Sequence, residues 1–587
     1  MTPTPQPIRK PIPIPKPKQN PIPTQHLTLN QTPSPILTPT LTPNSPRIAT
    51  RIATHITRRI ATMARRARLG LLLAGALLAC APALHAEPTR GGTLTLLLPS
   101  EPTALVTVGN VATPILSVSA KVTEGLLKYD YDLNPQPQLA TAWQVSPDGT
   151  VYTFTLRQGV KWHDGKPFTA ADVAFSIGLL KKIHPRGRNT FANVTAIETP
   201  DDHTVVLRLA KPAPYLIRAF VATETPIIPK HIFDGPDPLT NPAISAPIGT
   251  GPYKFKEWVR GSHIVYERNP DYWDKPKPYI DRLIVRVVAD PAAAAIAFET
   301  GTVDLGYRTP VPLADLARLK AVPSLRFETR GNSYSYNVTR LEFNLDEPHF
   351  KNEKVRQAVA HAIDRNVILK VVNYGVGQVA YSPIAPGLKA YNDPTPSPYA
   401  FDLKRANALL DEAGYPKGPD GVRFRVPLDY NPIGSDGARL ADYLRTTLAR
   451  TGIAVTVRSQ DASAFIKRVY TDRDFAFTTN GASNLFDPTV GVQRLYWSRN
   501  FIRGVPFSNG THYQNPRVDA MLEAAAVEND PARRVQLFKD FQQIVAREVP
   551  DLNLYQPEFI TIANQRVHDH SLTADGVESN LADVYLQ

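Results

Sequence analysis

Two hydrophobic periods interleave along the chain. Residues 92–98, 152–156, 204–209 and 283–288 are β-branched or alternate apolar with polar side chains, a pattern that predicts sheet strands. Residues 352–368, 403–413, 439–451 and 531–549 place apolar side chains three and four apart, which predicts helices. Asp530-Pro531 reads as an N-cap followed by proline at the first helical position, and Gly414 reads as a C-cap glycine. The expectation is a mixed α/β globule. No tandem repeat, long charge block or second apolar run of membrane-spanning length interrupts it.

The chain has 587 residues, more than one hydrophobic core usually organises, so 87–587 should divide into two or three lobes. Its 66 Lys and Arg against 53 Asp and Glu suggest a basic protein with an anionic polymer or membrane as partner. Position removes that reading: residues 1–86 hold eleven basic side chains and no acidic one, leaving the body 55 against 53. A nucleic-acid partner is therefore not expected.

Residues 1–62 alternate Pro with Thr, Ile and Gln, as in Pro11-Ile12-Pro13-Ile14-Pro15, a composition expected to stay extended and disordered. Residues 63–86 then read as an export signal: Met63, a basic stretch Arg65-Arg66-Ala67-Arg68, an apolar run over 69–79 too short to span a bilayer, and small residues to Ala86. A signal placed behind 62 residues suggests that translation starts at Met63, the alternative being a genuine Pro-rich extension. The single cysteine, Cys80, leaves a choice. After Leu77-Leu78-Ala79 it resembles a lipidation site and would tether the protein; with cleavage after Ala83 or Ala86 the product is a periplasmic protein free of cysteine, which is the expected form. No intramolecular disulfide is possible either way.

Several separated stretches resemble family 5 of the bacterial extracellular solute-binding proteins. The longest is 139–176, LATAWQVSPDGTVYTFTLRQGVKWHDGKPFTAADVAFS, in which Ser146-Pro147-Asp148-Gly149 and Asp164-Gly165 are turns and Thr169 to Asp172 starts a helix. Others are 248–253 (IGTGPY), Asn269-Pro270-Asp271-Tyr272-Trp273, Val355-Arg356-Gln357-Ala358, Ala362-Ile363-Asp364-Arg365, 409–415 and Asp487-Pro488. Together they cover about 91–560 in the family's order.

The resemblance implies a periplasmic-binding-protein-like fold of type II: lobe I from 91–128, 246–335 and 556–587, a small lobe II from 129–245, and lobe III from 336–555, around an interlobe cleft. It also implies a receptor without catalytic activity or cofactor, acting as a monomer that closes on a small solute and delivers it to the permease and ATPase of an ABC importer. The alternative is an exported hydrolase. Its best candidate, His163-Asp164, lies in a turn where a structural role is expected. His349, His361 and His512 fall in different elements and show no metal-ligand spacing, and no phosphate loop or zinc motif is present.

Peptide-binding relatives usually carry an Asp four residues before the proline of the Asp-Pro turn, for the ligand's ammonium group, and a Trp three residues before that. Here the positions hold Asn484 and Gly481, so unmodified peptides lose a charged anchor; the expected cargo is a peptide, a peptide derivative, an opine or a related compound, with a sugar-like solute or a metal chelate as alternatives. Asp487 could substitute, but its expected role is in the turn. By the same carry-over Phe486, Val111, Thr113, Tyr430, Asn431, Tyr334, Tyr336 and Trp497 are candidate ligand contacts.

Overall fold

Strand pairing sorts the chain into three main sheets. The computed structural model describes residues 87–235, 237–432 and 436–587; the Pro-rich stretch, the signal and Cys80 lie outside them. The first sheet has seven strands in the order Leu325–Glu328, Thr561–Asn564, Leu305–Gly306, Thr93–Leu98, Arg282–Val287, His263–Arg268 and Tyr253–Val259. The second has four antiparallel strands, Ala140–Val145, Val151–Leu156, Thr204–Leu209 and Val194–Asp201. The third has six: Gly377–Val379, Asp551–Pro557, Tyr336–Phe343, Phe477–Leu485, Phe424–Tyr430 and Ile453–Arg458.

The first sheet is covered on both faces. Leu94, Leu96 and Leu98 enter one core and Leu97 the other, where Ala294, Ala295 and Phe298 of helix Pro291–Glu299 meet it. In the third sheet the parallel neighbours Phe424–Tyr430 and Ile453–Arg458 are joined through helix Gly437–Ala449, as a parallel pair requires. Leu341, Phe343, Val426 and Leu428 share its core with Leu440, Leu444 and Leu448. The second sheet packs against helix Ala170–Ile183, and its core runs on into Phe486, Tyr496, Phe538 and Phe541.

Most sequence expectations hold with small shifts. The stretch 352–368 is two helices, Glu353–Ala362 and Arg365–Val371, because the Asp364 carboxylate accepts from the Asn366 and Val367 N–H groups and caps a second start. Asp530 accepts from Arg533 N at 2.7 Å and caps Pro531–Glu548. Gly414, with φ +86°, follows Leu403–Glu412 and its C-cap Ala413.

The family-like stretches converge on a few buried groups. The Asp172 carboxylate accepts from Thr169 N at 3.0 Å, Trp162 Nε1 at 3.3 Å and Lys230 N at 2.9 Å, fixing the start of helix Ala170–Ile183. Buried Glu124 accepts from Gln138, Thr250, Tyr272, Trp273 and Asn580, so residues of two such stretches, with Gln138 just before a third, share one carboxylate. Burial raises its pKa and these neutral donors oppose the rise. His163 donates from Nε2 to Gly251 O at 2.9 Å and accepts at Nδ1 from Gly249 N at 3.3 Å, locking the turn onto the return segment to the first sheet.

Candidate functional site

Two short segments connect the first sheet to the third, residues 329–335 and 558–560. They lie side by side, with Asn332 Nδ2 donating to Thr329 O at 2.8 Å and Phe559 O at 2.9 Å. Beside them is a cavity of about 710 Å³, which shares the lining residues Arg308, Asn337, Asn431 and Gly481 with a second of about 560 Å³. This is the size range of small-molecule sites, whereas the void beside Trp273 and Asn580, about 40 Å³, has room for little more than water. The larger cavity takes wall residues from all three sheet regions: Val111 and Thr113 at the start of helix Thr113–Ser119, Arg186 and Asn189 beyond the helix of the second region, and Asn431, Gly481 and Ser483 of the third.

Val111, Thr113, Tyr334, Asn431 and Gly481 line this cavity together. Tyr334 is anchored by its hydroxyl, which donates to Arg218 O at 2.8 Å, and by its ring, 5.1 Å from that of Phe486. Asn431 donates from Nδ2 to Asn480 Oδ1 at 2.9 Å. A Cβ built on Gly481 has nothing within 4 Å, so the wall is open where a side chain would otherwise project.

The other candidates lie elsewhere. In strand Phe477–Leu485 alternate residues face opposite sides; Gly481 and Ser483 reach the cavity, and Asn484 turns to the back, fully buried, its Oδ1 accepting from Ala385 N. Phe486 is fully buried beneath Tyr334. Tyr430 shares a 2.7 Å hydrogen bond with Ser459, and Tyr336 donates to Ser333 Oγ at 3.3 Å with its ring against Gly387. Trp497 Nε1 donates to Glu523 at 2.9 Å. Asp487 is taken by Arg534, so its carboxylate serves the turn.

The sequence profile described as "Bacterial extracellular solute-binding proteins, family 5 Middle" matches residues 134–501. The chain belongs to family 5 of the bacterial extracellular solute-binding proteins. This family 5 protein is 31% identical over 450 residues to a putative ABC transporter peptide-binding protein of Brucella ovis, covering 73% of this chain and 80% of that one. It is similar to the oligopeptide-binding protein of Bacillus subtilis solved with a nonapeptide, at TM-score 0.72 and 26% identity over 85% of this chain and all of the other. The Agrobacterium tumefaciens binding protein solved with agropinic acid gives TM-score 0.69 and 27% identity over 84% of this chain and 99% of the other. The architecture is that of the type II periplasmic binding proteins, and the family role is substrate binding for ABC importers.

The charged wall of this family 5 cleft was not legible in the sequence. Arg186, Arg308, Arg494 and Glu578 all line it. Arg186 Nε donates to Glu224 at 2.7 Å; burial works against its charge, and Glu224 more than offsets that. Arg308, with its backbone at φ 56°, stacks over Phe559 at 4.5 Å and donates to Glu578 at 3.4 Å. Burial raises the pKa of Glu578 against the pull of Arg308. Burial lowers that of Arg494 to about 10, helped by the like charges of Arg340 and Arg186. In the sequence each arginine reads as an ordinary surface charge, and only the fold brings the three together.

Proposed function

We propose that this chain is the exported receptor of an ABC importer, and that it holds a peptide derivative, an opine or a related small solute in the cavity at the two connecting segments. The observation that carries the reading is that cavity: its walls belong to separate sheet regions joined by two adjacent links, the arrangement that hinge closure needs. Residues 91–128, 246–335 and 556–587 act as lobe I, 129–245 as lobe II and 336–555 as lobe III. Val111, Thr113, Tyr334, Asn431 and Gly481 contact the solute, joined by Ser483 and Arg494. The agropinic acid of the Agrobacterium relative and the nonapeptide of the Bacillus relative bracket the kind of cargo. The closed form is read by the permease and ATPase, and the protein acts in the periplasm as a monomer without turnover. The hydrolase alternative has no support among the relatives, and His163 is committed to backbone groups.

Thermal unfolding against dipeptides, N-acylated peptides, opines, oligosaccharides and nickel chelates tests this. A solute bound only by the native state, at 100 times its dissociation constant, adds about 2.7 kcal/mol and raises the transition. Stabilisation by one class, with that solute recovered unchanged, is the expected result. Chemical conversion of the stabilising solute would overturn it.

A further inference from the structure

Three guanidinium groups reach the cavity, and they differ in what answers their charge. Arg186 has Glu224, and Arg308 has Glu578. Arg494 has only carbonyl oxygens: Nε donates to Gly491 O at 3.1 Å, Nη1 to Phe507 O and Nη2 to Ser483 O at 3.4 Å. Among the described residues no carboxylate stands within ion-pair distance of it. A guanidinium has five N–H donors, so two remain beyond these three contacts. Arg340 and Arg186 add like charge around it, opposed in part by Glu342, which is itself paired with Arg340. An enclosed cation without a counter-ion is costly, and that cost is relieved when an anion arrives.

The carboxylates around the three arginines are already engaged. Glu224 and Glu578 serve their arginines, and Asp487 is held by Arg534. Asn484 is neutral and turned away from the cavity. The cavity that Arg494 lines therefore offers one guanidinium without an ion pair among the described residues, while its carboxylate, Glu578, is paired; the carboxylates without an ion pair, Asp436 and Glu558, line the second cavity.

We infer that the cavity takes an organic anion, carrying a carboxylate or phosphate group, and that Arg494 is the residue that pairs with it. The inference rests on the receptor reading above and narrows its cargo. The planar guanidinium presents parallel donors that suit either group, in charge-assisted hydrogen bonds. A solute with a free ammonium group and no anionic one meets like charge at Arg494, so this wall of the cavity selects against it as well as for its opposite. Carboxylates with a blocked or substituted amino group fit this demand.

The test divides the small molecules of a bacterial culture extract on an ion exchanger into anionic, neutral and cationic fractions, and follows thermal unfolding of the purified chain with each. The anionic fraction should raise the transition. Esterification in acidic methanol should abolish that effect if the group is a carboxylate, and phosphatase treatment should abolish it if the group is a phosphate. Arg494→Gln should weaken binding of the active solute by about 10- to 100-fold. Because that substitution also removes the three carbonyl contacts, the fraction experiment on the unaltered protein carries the test independently. Stabilisation by the neutral or cationic fraction with none from the anionic one overturns the charge assignment and leaves the receptor reading intact. Conversion of the solute to a product overturns both.

Discussion

Arg534 grips Asp487 through two parallel hydrogen bonds, Nη1 to Oδ2 at 2.9 Å and Nη2 to Oδ1 at 2.7 Å, with the carboxylate entirely out of water. Asp487 also accepts from Thr489 N at 2.9 Å, and Arg218 stands 3.9 Å away. Burial alone would raise its pKa; the guanidinium more than offsets that and holds it below the usual carboxylate range. The turn after the central strand of the third sheet is thus pinned to helix Pro531–Glu548.

Removing one partner leaves the other charged and buried, so Asp487→Asn should cost about 3 to 5 kcal/mol in denaturant unfolding. The contribution of Asp487 is full above its unfolded pKa of 3.8 and is lost as pH falls through its lower folded value. The variant should therefore lack this acid-side loss. A cost below about 1 kcal/mol would show that the pair is not dry.

A second pH window lies higher. His163, His184 and His570 are each lowered from 6.5 to about 4, chiefly by burial. They are neutral when folded and bind protons on unfolding, so their stabilisation is complete above pH 6.5 and is lost as pH falls towards 4. The unfolding temperature should drop across that interval, and His163→Gln should flatten the slope. A flat profile between pH 6.5 and 4 would contradict the burial of these rings.

Two glycines separate structure from binding. Gly249 has no room: a Cβ there would sit 1.9 Å from Val122 O, a backbone atom that cannot swing aside. Gly249→Ala should cost about 3 kcal/mol or prevent folding.

Gly481 has nothing within 4 Å and faces the cavity. Gly481→Phe should leave the unliganded unfolding temperature within a degree or two while weakening solute binding by about tenfold or more. Equal binding by that variant would place the solute elsewhere.

The contrast between Asn484 and Gly481 shows how far the sequence could be read. Spacing from the Asp-Pro turn puts both at the site, but it carries no information on which face of the strand each occupies, and with a period of two a one-residue difference reverses the face. Gly481 reaches the cavity and Asn484 does not. The strands, most helices and the structural part of His163 were legible because turn residues, caps and apolar period are local signals. Arg494 was not. It lies on the one-turn helix Gln493–Tyr496, and its exposure to a cavity depends on the Val505 to Ser508 loop and on residues more than a hundred positions away, such as Arg308 and Tyr334.

Capture without chemistry is tested by recovering the solute. The purified chain is saturated with the solute that stabilises it, freed of excess by rapid gel filtration and denatured, and the released small molecule is weighed by mass spectrometry. A receptor releases one molecule per chain, identical in mass to what was added. A product of altered mass, or loss of the added solute beyond one equivalent, would contradict it.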